Sequence, residues 1–290
     1  LIEEPTGMSI TSTDNTPAQG GMAATAPHPL APRSIGAVNW IGLQTLFVKE
    51  VMRFLKVATQ TVLAPVVTTL LFYAVFALAL GGLVRTAGTV PFLEFLAPGL
   101  VMMGIAQNAF ANTSSSIIIS KVQGNIVDLL MPPLSHFEVA AAYVGAAVVR
   151  GLMVGAVTLL AIVVFVPVGL HSPFFVLYHA VMASMMMGLL GLLGGIWAEK
   201  FDHLAAVTNF VITPLTFLSG TFYTIDRLPL TFQILAHVNP FFYMIDGFRY
   251  GFIGQSDGTL LIGLAVLALV NGGLWWLLLR LLATGYRLRA

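Results

Sequence analysis

Apolar positions along the chain fall into long runs separated by short polar stretches, and the length of those runs decides the architecture. A helix needs about 20 mostly apolar residues to cross the hydrocarbon core of a bilayer. Six stretches meet that requirement, at residues 59–82, 95–120, 137–170, 174–198, 203–222 and 259–283. Three further stretches break the pattern. In residues 38–57, Trp40, Leu43, Phe47, Val51 and Phe54 recur at spacings of three and four, with Thr45, Lys49, Arg53 and Lys56 on the opposite stripe. This predicts an amphipathic helix lying in the membrane interface. Residues 121–135 (KVQGNIVDLLMPPLS) set Val122, Ile126, Leu129 and Leu130 on one face and Gln123, Asn125 and Asp128 on the other. Pro132 and Pro133 end that helix before the next span begins. Residues 223–258 are too apolar for a solvated loop and too interrupted for a span. They read as short helices dipping into the outer leaflet, with Asp246 and Arg249 spaced to pair on one helix.

Residues 1–35 differ from all of this. They are rich in Thr, Pro, Ala and Gly without periodicity, which predicts a disordered extension and no cleavable signal peptide. The fold class is therefore an all-α membrane protein, with residues 36–290 as one transmembrane domain.

Composition agrees. Of 290 residues 58% are hydrophobic and 9% charged, against about 25% charged in soluble domains. Too few charges remain to coat a water-facing surface. Lys and Arg sort the flanks: nine (Arg33, Lys49, Arg53, Lys56, Lys121, Lys200, Arg280, Arg287, Arg289) fall on one side of six spans and three (Arg85, Arg227, Arg249) on the other. The richer side is cytoplasmic by the positive-inside rule, which puts both termini in the cytoplasm. The net charge of +1 says nothing about nucleic acid, and no basic run points to such a partner, so none is expected.

Polar residues inside the spans carry the candidate chemistry. The second span holds Gln107, Asn108, Asn112 and Thr113, and the fifth holds Thr208, Asn209, Thr213 and Thr216. Amides and hydroxyls facing lipid are costly, so these face protein or a cavity. They serve either as interhelical hydrogen bonds or as a polar-dotted substrate path. Arg150 sits near mid-membrane in the third span with no carboxylate at its depth. Polar groups of the second and fifth spans or helix-end carbonyls are its expected partners, in a structural role or in binding a substrate anion. Gly151/Gly155 and Gly191/Gly195 form GxxxG pairs, a weak signal in so apolar a chain.

Several chemistries lack their residues. No Gly precedes any of the four lysines, so there is no P-loop. No cysteine is present for disulfides or thiolate metals, no HExxH occurs, and no chain of carboxylates and histidines forms a proton relay.

The stretches KEVMRFLKVATQTVLAPVVT, FLAPGLVMM, NAFANTSSS, NIVDLLMPPLS, YVGAAVVRGLMVG, TPLTFLSGTFY and HVNPFFYMIDGFRYGFIG follow one another in an order that resembles the permeases of type-2 class ABC exporters, especially the YadH-like bacterial permeases. The resemblance covers residues from about 39 to the C-terminus. It implies a half-transporter in the bacterial inner membrane that dimerises with a second copy and recruits two ATP-binding subunits, which carry ATP and Mg. This chain would hold no cofactor and would not itself be an enzyme. The resemblance makes residues 121–134 the coupling helix, with Lys121, Val122, Gln123, Asn125, Ile126, Asp128, Leu129 and Leu130 meeting the ATPase. It makes residues 38–57 the connecting helix, with Lys49, Glu50, Arg53 and Lys56 beside it. The second and fifth spans would line the dimer interface. An ATP-independent carrier or channel, and a non-transporting anchor subunit, are the alternatives. The residues leave the substrate open among drugs, lipids and glycans, with an amphipathic molecule fitting better than a small ion.

Overall fold

A computed structural model describes residues 36, 38–80, 86–87 and 90–287. The expected extension over residues 1–35 lies outside them. Six helices are long and apolar enough to cross a membrane: Thr59–Ala79, Phe92–Val122, His136–Val163, Pro173–Trp197, Phe201–Leu218 and Leu260–Thr284.

The order begins with α1 (Trp40–Leu55), capped by Asn39, whose side chain accepts from the Gly42 N–H. A π turn at Thr59–Leu63 leads into α2 (Ala64–Leu80), and together they make the first span. A short antiparallel pair, β1 (Thr86–Ala87) and β2 (Val90–Pro91), precedes α3 (Phe92–Val122). The short α4 (Ile126–Leu130) then leads to α5 (His136–Val163) and α6 (Pro173–Trp197). The fifth span is composite: α7 (Phe201–Val207), a π turn (Thr208–Ile212) and α8 (Thr213–Leu218). A 3-10 turn (Ile225–Arg227), α9 (Leu230–Val238) and α10 (Pro240–Ile253) precede α11 (Leu260–Thr284).

The spans sit in very different surroundings. In the most apolar stretch of α3, 83% of residues are buried, whereas the fifth and last spans reach only 17%. The second span is thus the axis of the protein, packed against α5, α6, α10 and α2. Close packing depends on glycine. At Gly191 a side chain would collide with the Phe110 carbonyl of α3, so α6 approaches backbone to backbone there.

Both π turns have the same origin. Ala64 donates to the Thr59 carbonyl and Thr213 to that of Thr208, each five residues back. Each has a proline two residues past its end, Pro65 and Pro214. Proline brings no N–H to the ladder, and the wider turn re-pairs neighbouring carbonyls.

Several expectations need correction. The third helix ends at Val163, short of residue 170, ahead of Pro167. The fifth ends at Leu218, before Gly220 turns the chain with φ +74°. Residues 223–253 do form short helices. The longest, α10, has 14 residues and spans about 21 Å, too short to cross a bilayer. Asp246 and Arg249 do not pair. Asp246 instead accepts from the Ser256 hydroxyl and from the Asp257 and Gly258 N–H groups. Arg249 donates to the Gly220 carbonyl at 2.6 Å and lies 3.8 Å over the Phe95 ring. Burial explains the exchange, since both side chains are under 4% exposed and each finds fixed backbone partners that a mutual pair would leave unmet.

Candidate functional site

The face of α1 turned to the bundle follows its apolar stripe only in part. Phe54 is buried and Leu43, Phe47 and Val51 are half-buried, but Trp40 is 70% exposed, and Leu46 and Glu50, which lie off that stripe, are buried. A buried carboxylate needs a partner, and Arg53, one turn on, supplies it at 3.0 Å. Arg53 also donates to the Asn112 carbonyl at 2.7 Å, to Asn112 Oδ1 at 3.1 Å and to the Ser115 hydroxyl at 3.4 Å. The expected polar stripe of α1 is therefore split. Lys49 and Lys56 point outward, whereas Arg53 fastens α1 to the middle of α3.

A second fastening lies at the start of α1. The Asn39 N–H donates to Glu138 Oε1 at 2.6 Å, and its side-chain amide to the Pro133 carbonyl at 3.2 Å. Glu138 also closes a capping box with Ser135 at the start of α5. Glu138 thus ties α1 to α5, and the Asn39 amide adds the Pro132–Pro133 turn.

Residues 121–134 are not one helix. α3 runs through Val122, Gly124 breaks it with φ +74°, and α4 is a separate turn and a half. Val122 accordingly leaves the expected apolar face and is 57% exposed, while Ile126 is buried and Leu129 half-buried. Gln123, Asn125 and Asp128 are exposed. The side chain of Leu130 lies outside the described residues. Lys121 turns inward, donating to the Ala198 carbonyl at 3.0 Å and to that of Ile196, free acceptors at the end of α6.

The polar span residues divide into two groups. Gln107, Asn108, Thr208, Asn209 and Thr213 line a groove of about 520 Å³ between the first, second and fifth spans. A second cavity of about 330 Å³ continues it along α3 and the fifth span, sharing Gln107, Ala111 and Thr208. Asn112, Thr113 and Thr216 are absent from its lining. Asn112 holds Arg53, Thr113 donates to the Gly188 carbonyl at 2.7 Å, and Thr216 to that of Ile212 at 2.8 Å. Gln60, Thr68 and Thr69 of the first span join the lining, and sequence reasoning missed them. Both π turns border it, through Gln60 on one side and Thr208 and Asn209 on the other. The Pro65 and Pro214 positions were the available signal.

Arg150 reaches the second span, as expected. It donates to Asn108 Oδ1 at 3.1 Å and lies 6.0 Å from the Phe54 ring centroid. Among the described residues no group of three His, Asp or Glu side chains could hold a metal ion.

The comparisons with known proteins agree with this architecture. Inner membrane transport permease YadH of Escherichia coli K12 is 38% identical over 251 residues, covering 87% of this chain and 98% of that protein. Nodulation protein J of Rhizobium leguminosarum bv. viciae is 23% identical over 240 residues, covering 81% and 90%. Nodulation protein J of Sinorhizobium fredii is 20% identical over 232 residues, covering 80% and 87%. The family described as ABC-2 type transporter matches residues 42–253. With a family match over most of its length and six apolar helices, the chain belongs to the ABC-2 type transporter family of membrane permeases.

Proposed function

We propose that this chain is the permease half of an ATP-driven exporter in the bacterial inner membrane, working as a dimer with two separate ATP-binding subunits. Similarity to an inner membrane transport permease supports the location. The nine-to-three distribution of Lys and Arg supports cytoplasmic termini and a cytoplasmic position for residues 121–134.

The observation that carries the reading is the doubly fastened α1. The exposed Gln123, Asn125 and Asp128 sit beside a turn whose Pro133 carbonyl is held by Asn39. Asn39 heads α1, and the same helix ends on α3 through Arg53. A push on that turn reaches α1 and α5 through Glu138 and the wall of the groove through α3. ATP binding and hydrolysis stay on the partner subunit together with Mg. The groove, open on the side of two scarcely buried spans, becomes the substrate path when a second copy faces it.

The test uses the assembled complex in proteoliposomes. Asp128→Lys together with Gln123→Glu changes only exposed side chains. We expect ATP hydrolysis and ATP-dependent transport to fall together by about tenfold, the size of a single lost charged contact at an interface. Full activity in that variant would overturn the coupling through residues 121–134, and transport by the permease alone in ATP-free liposomes would overturn the reading in favour of an independent carrier.

A further inference from the structure

Among the described residues no ionised side chain lines the groove, yet a charge stands directly behind its wall. Arg150 is 7% exposed and, among the described residues, makes a single hydrogen bond, to Asn108 Oδ1, while its Nε has no partner there. Among the described residues the two ion pairs are Glu50–Arg53 and Glu199–Arg287, so no carboxylate answers Arg150. Asn108 lines the groove, and its amide nitrogen is held by the Gly104 carbonyl at 3.0 Å. One turn on, Asn112 gives its oxygen to Arg53 and leaves its buried nitrogen unpaired. Two guanidinium groups therefore stand against one carboxylate behind this stretch of α3.

A cation in mid-membrane is costly, and such groups mark pathways. As a mere link to Asn108, a neutral amide would serve with less desolvation. A guanidinium with one bond and an orphaned Nε is a poor link but an effective source of positive potential, because low-dielectric surroundings screen it little.

We propose that the groove selects amphiphiles whose headgroup is an anion, such as a phosphate, sulfate or carboxylate on an alkyl tail. The tail lies along Phe72, Leu100 and Met103, and the headgroup stops at the level of Gln107, Asn108 and Asn209. There the amides donate and Arg150 supplies the charge through Asn108. As a statement about substrate this rests on the export reading, but its test does not need transport.

The chain has no cysteine, so Asn209→Cys places a single thiol in the groove. The full chain carrying it is reacted with anionic, neutral and cationic methanethiosulfonates, and each rate is normalised to a free thiol. The anionic reagent should outpace the cationic one by about tenfold, as expected for one poorly screened charge. Arg150→Gln should cut that ratio by at least about fivefold, and Arg150→Lys should keep it. Asn108→Asp, which neutralises Arg150 in place while keeping an acceptor for it, should cut the ratio as Arg150→Gln does. A ratio unmoved by both neutralising changes overturns the proposal. In the parent background dodecyl phosphate should protect the thiol, and inorganic phosphate and dodecyltrimethylammonium should not. Equal protection by the two amphiphiles overturns it as well, and protection by inorganic phosphate alone would replace the amphiphile with a small ion. Loss of ATP-dependent transport in the assembled complex would refute the export reading without altering any of these rates.

Discussion

The pair Glu50–Arg53 makes the sharpest claim about energetics, because the two partners are buried unequally. Glu50 is 1% exposed and Arg53 29%. Replacing Arg53 by Met removes the ion pair and the bonds to Asn112 and Ser115 in one step. Breaking a buried pair from one side costs about 3–5 kcal/mol, since the remaining charge is stranded. Arg53 is partly open to solvent, so water can enter in its place and the lower end of that range applies, about 3 kcal/mol. Replacing Glu50 by Gln is milder. Arg53 keeps its Asn112 carbonyl and its exposure, and the loss is about 1 kcal/mol. Replacing both, with Glu50→Gln and Arg53→Met, removes the stranded charge altogether and should return most of the stability. The assay is reversible unfolding of the purified chain in mixed micelles, read as a four-member double-mutant cycle. Equal costs for the two single changes, or a double variant whose cost is the sum of the singles, would refute the argument from unequal burial.

Two other outcomes are checked by the same unfolding assay. Gly191→Ala should cost about 1–3 kcal/mol, because its methyl group meets the Phe110 carbonyl and backbone cannot step aside as a side chain would. A pH series probes Asp257, whose carboxyl is pushed above the ordinary 3.8 by burial, with Arg249 opposing. The folded chain then holds this proton more tightly than the unfolded one, so stability falls as pH rises from that ordinary value through the raised one. Asp257→Asn keeps an oxygen for the Ile225 N–H and should flatten that fall.

Much of the fold was legible because membrane spans announce themselves by length. All six were placed within a few residues, except where a turn intervened: Pro167 after α5 and Gly220 after α8. The face of α1 was legible only in part. Its apolar stripe from Leu43 to Phe54 does turn to the bundle, but Trp40 is 70% exposed, Glu50 is buried, and Arg53 of the polar stripe reaches Asn112. A carboxylate enters a core when a cation one turn away pairs with it and a carbonyl beyond holds that cation in place. That carbonyl, on Asn112, lies 59 residues away in sequence. The partition of the polar span residues failed for the same reason. Asn108 and Asn112 are one turn apart on α3 and share a face, yet one borders the groove and the other is sealed by Arg53. What α1 covers decides this, and periodicity within α3 carries no trace of it.

In the proposed mechanism the same residues join energy to substrate. Asn39 and Glu138 fix one end of α1 to the turn that would meet the ATPase, and Arg53 fixes the other end to Asn112. Asn112 stands one turn from Asn108, which carries Arg150 and borders the groove. Packed helices resist compression, so a displacement of the turn is passed along α1 with little loss. At the groove it meets elements that yield more easily, the two π turns, each missing a hydrogen bond of the ordinary ladder beside a proline. A stiff lever ending on a compliant wall changes the shape of that wall. This places the substrate-dependent step at Gln60 and Asn209, on the π turns, rather than at the well-bonded centre of α3.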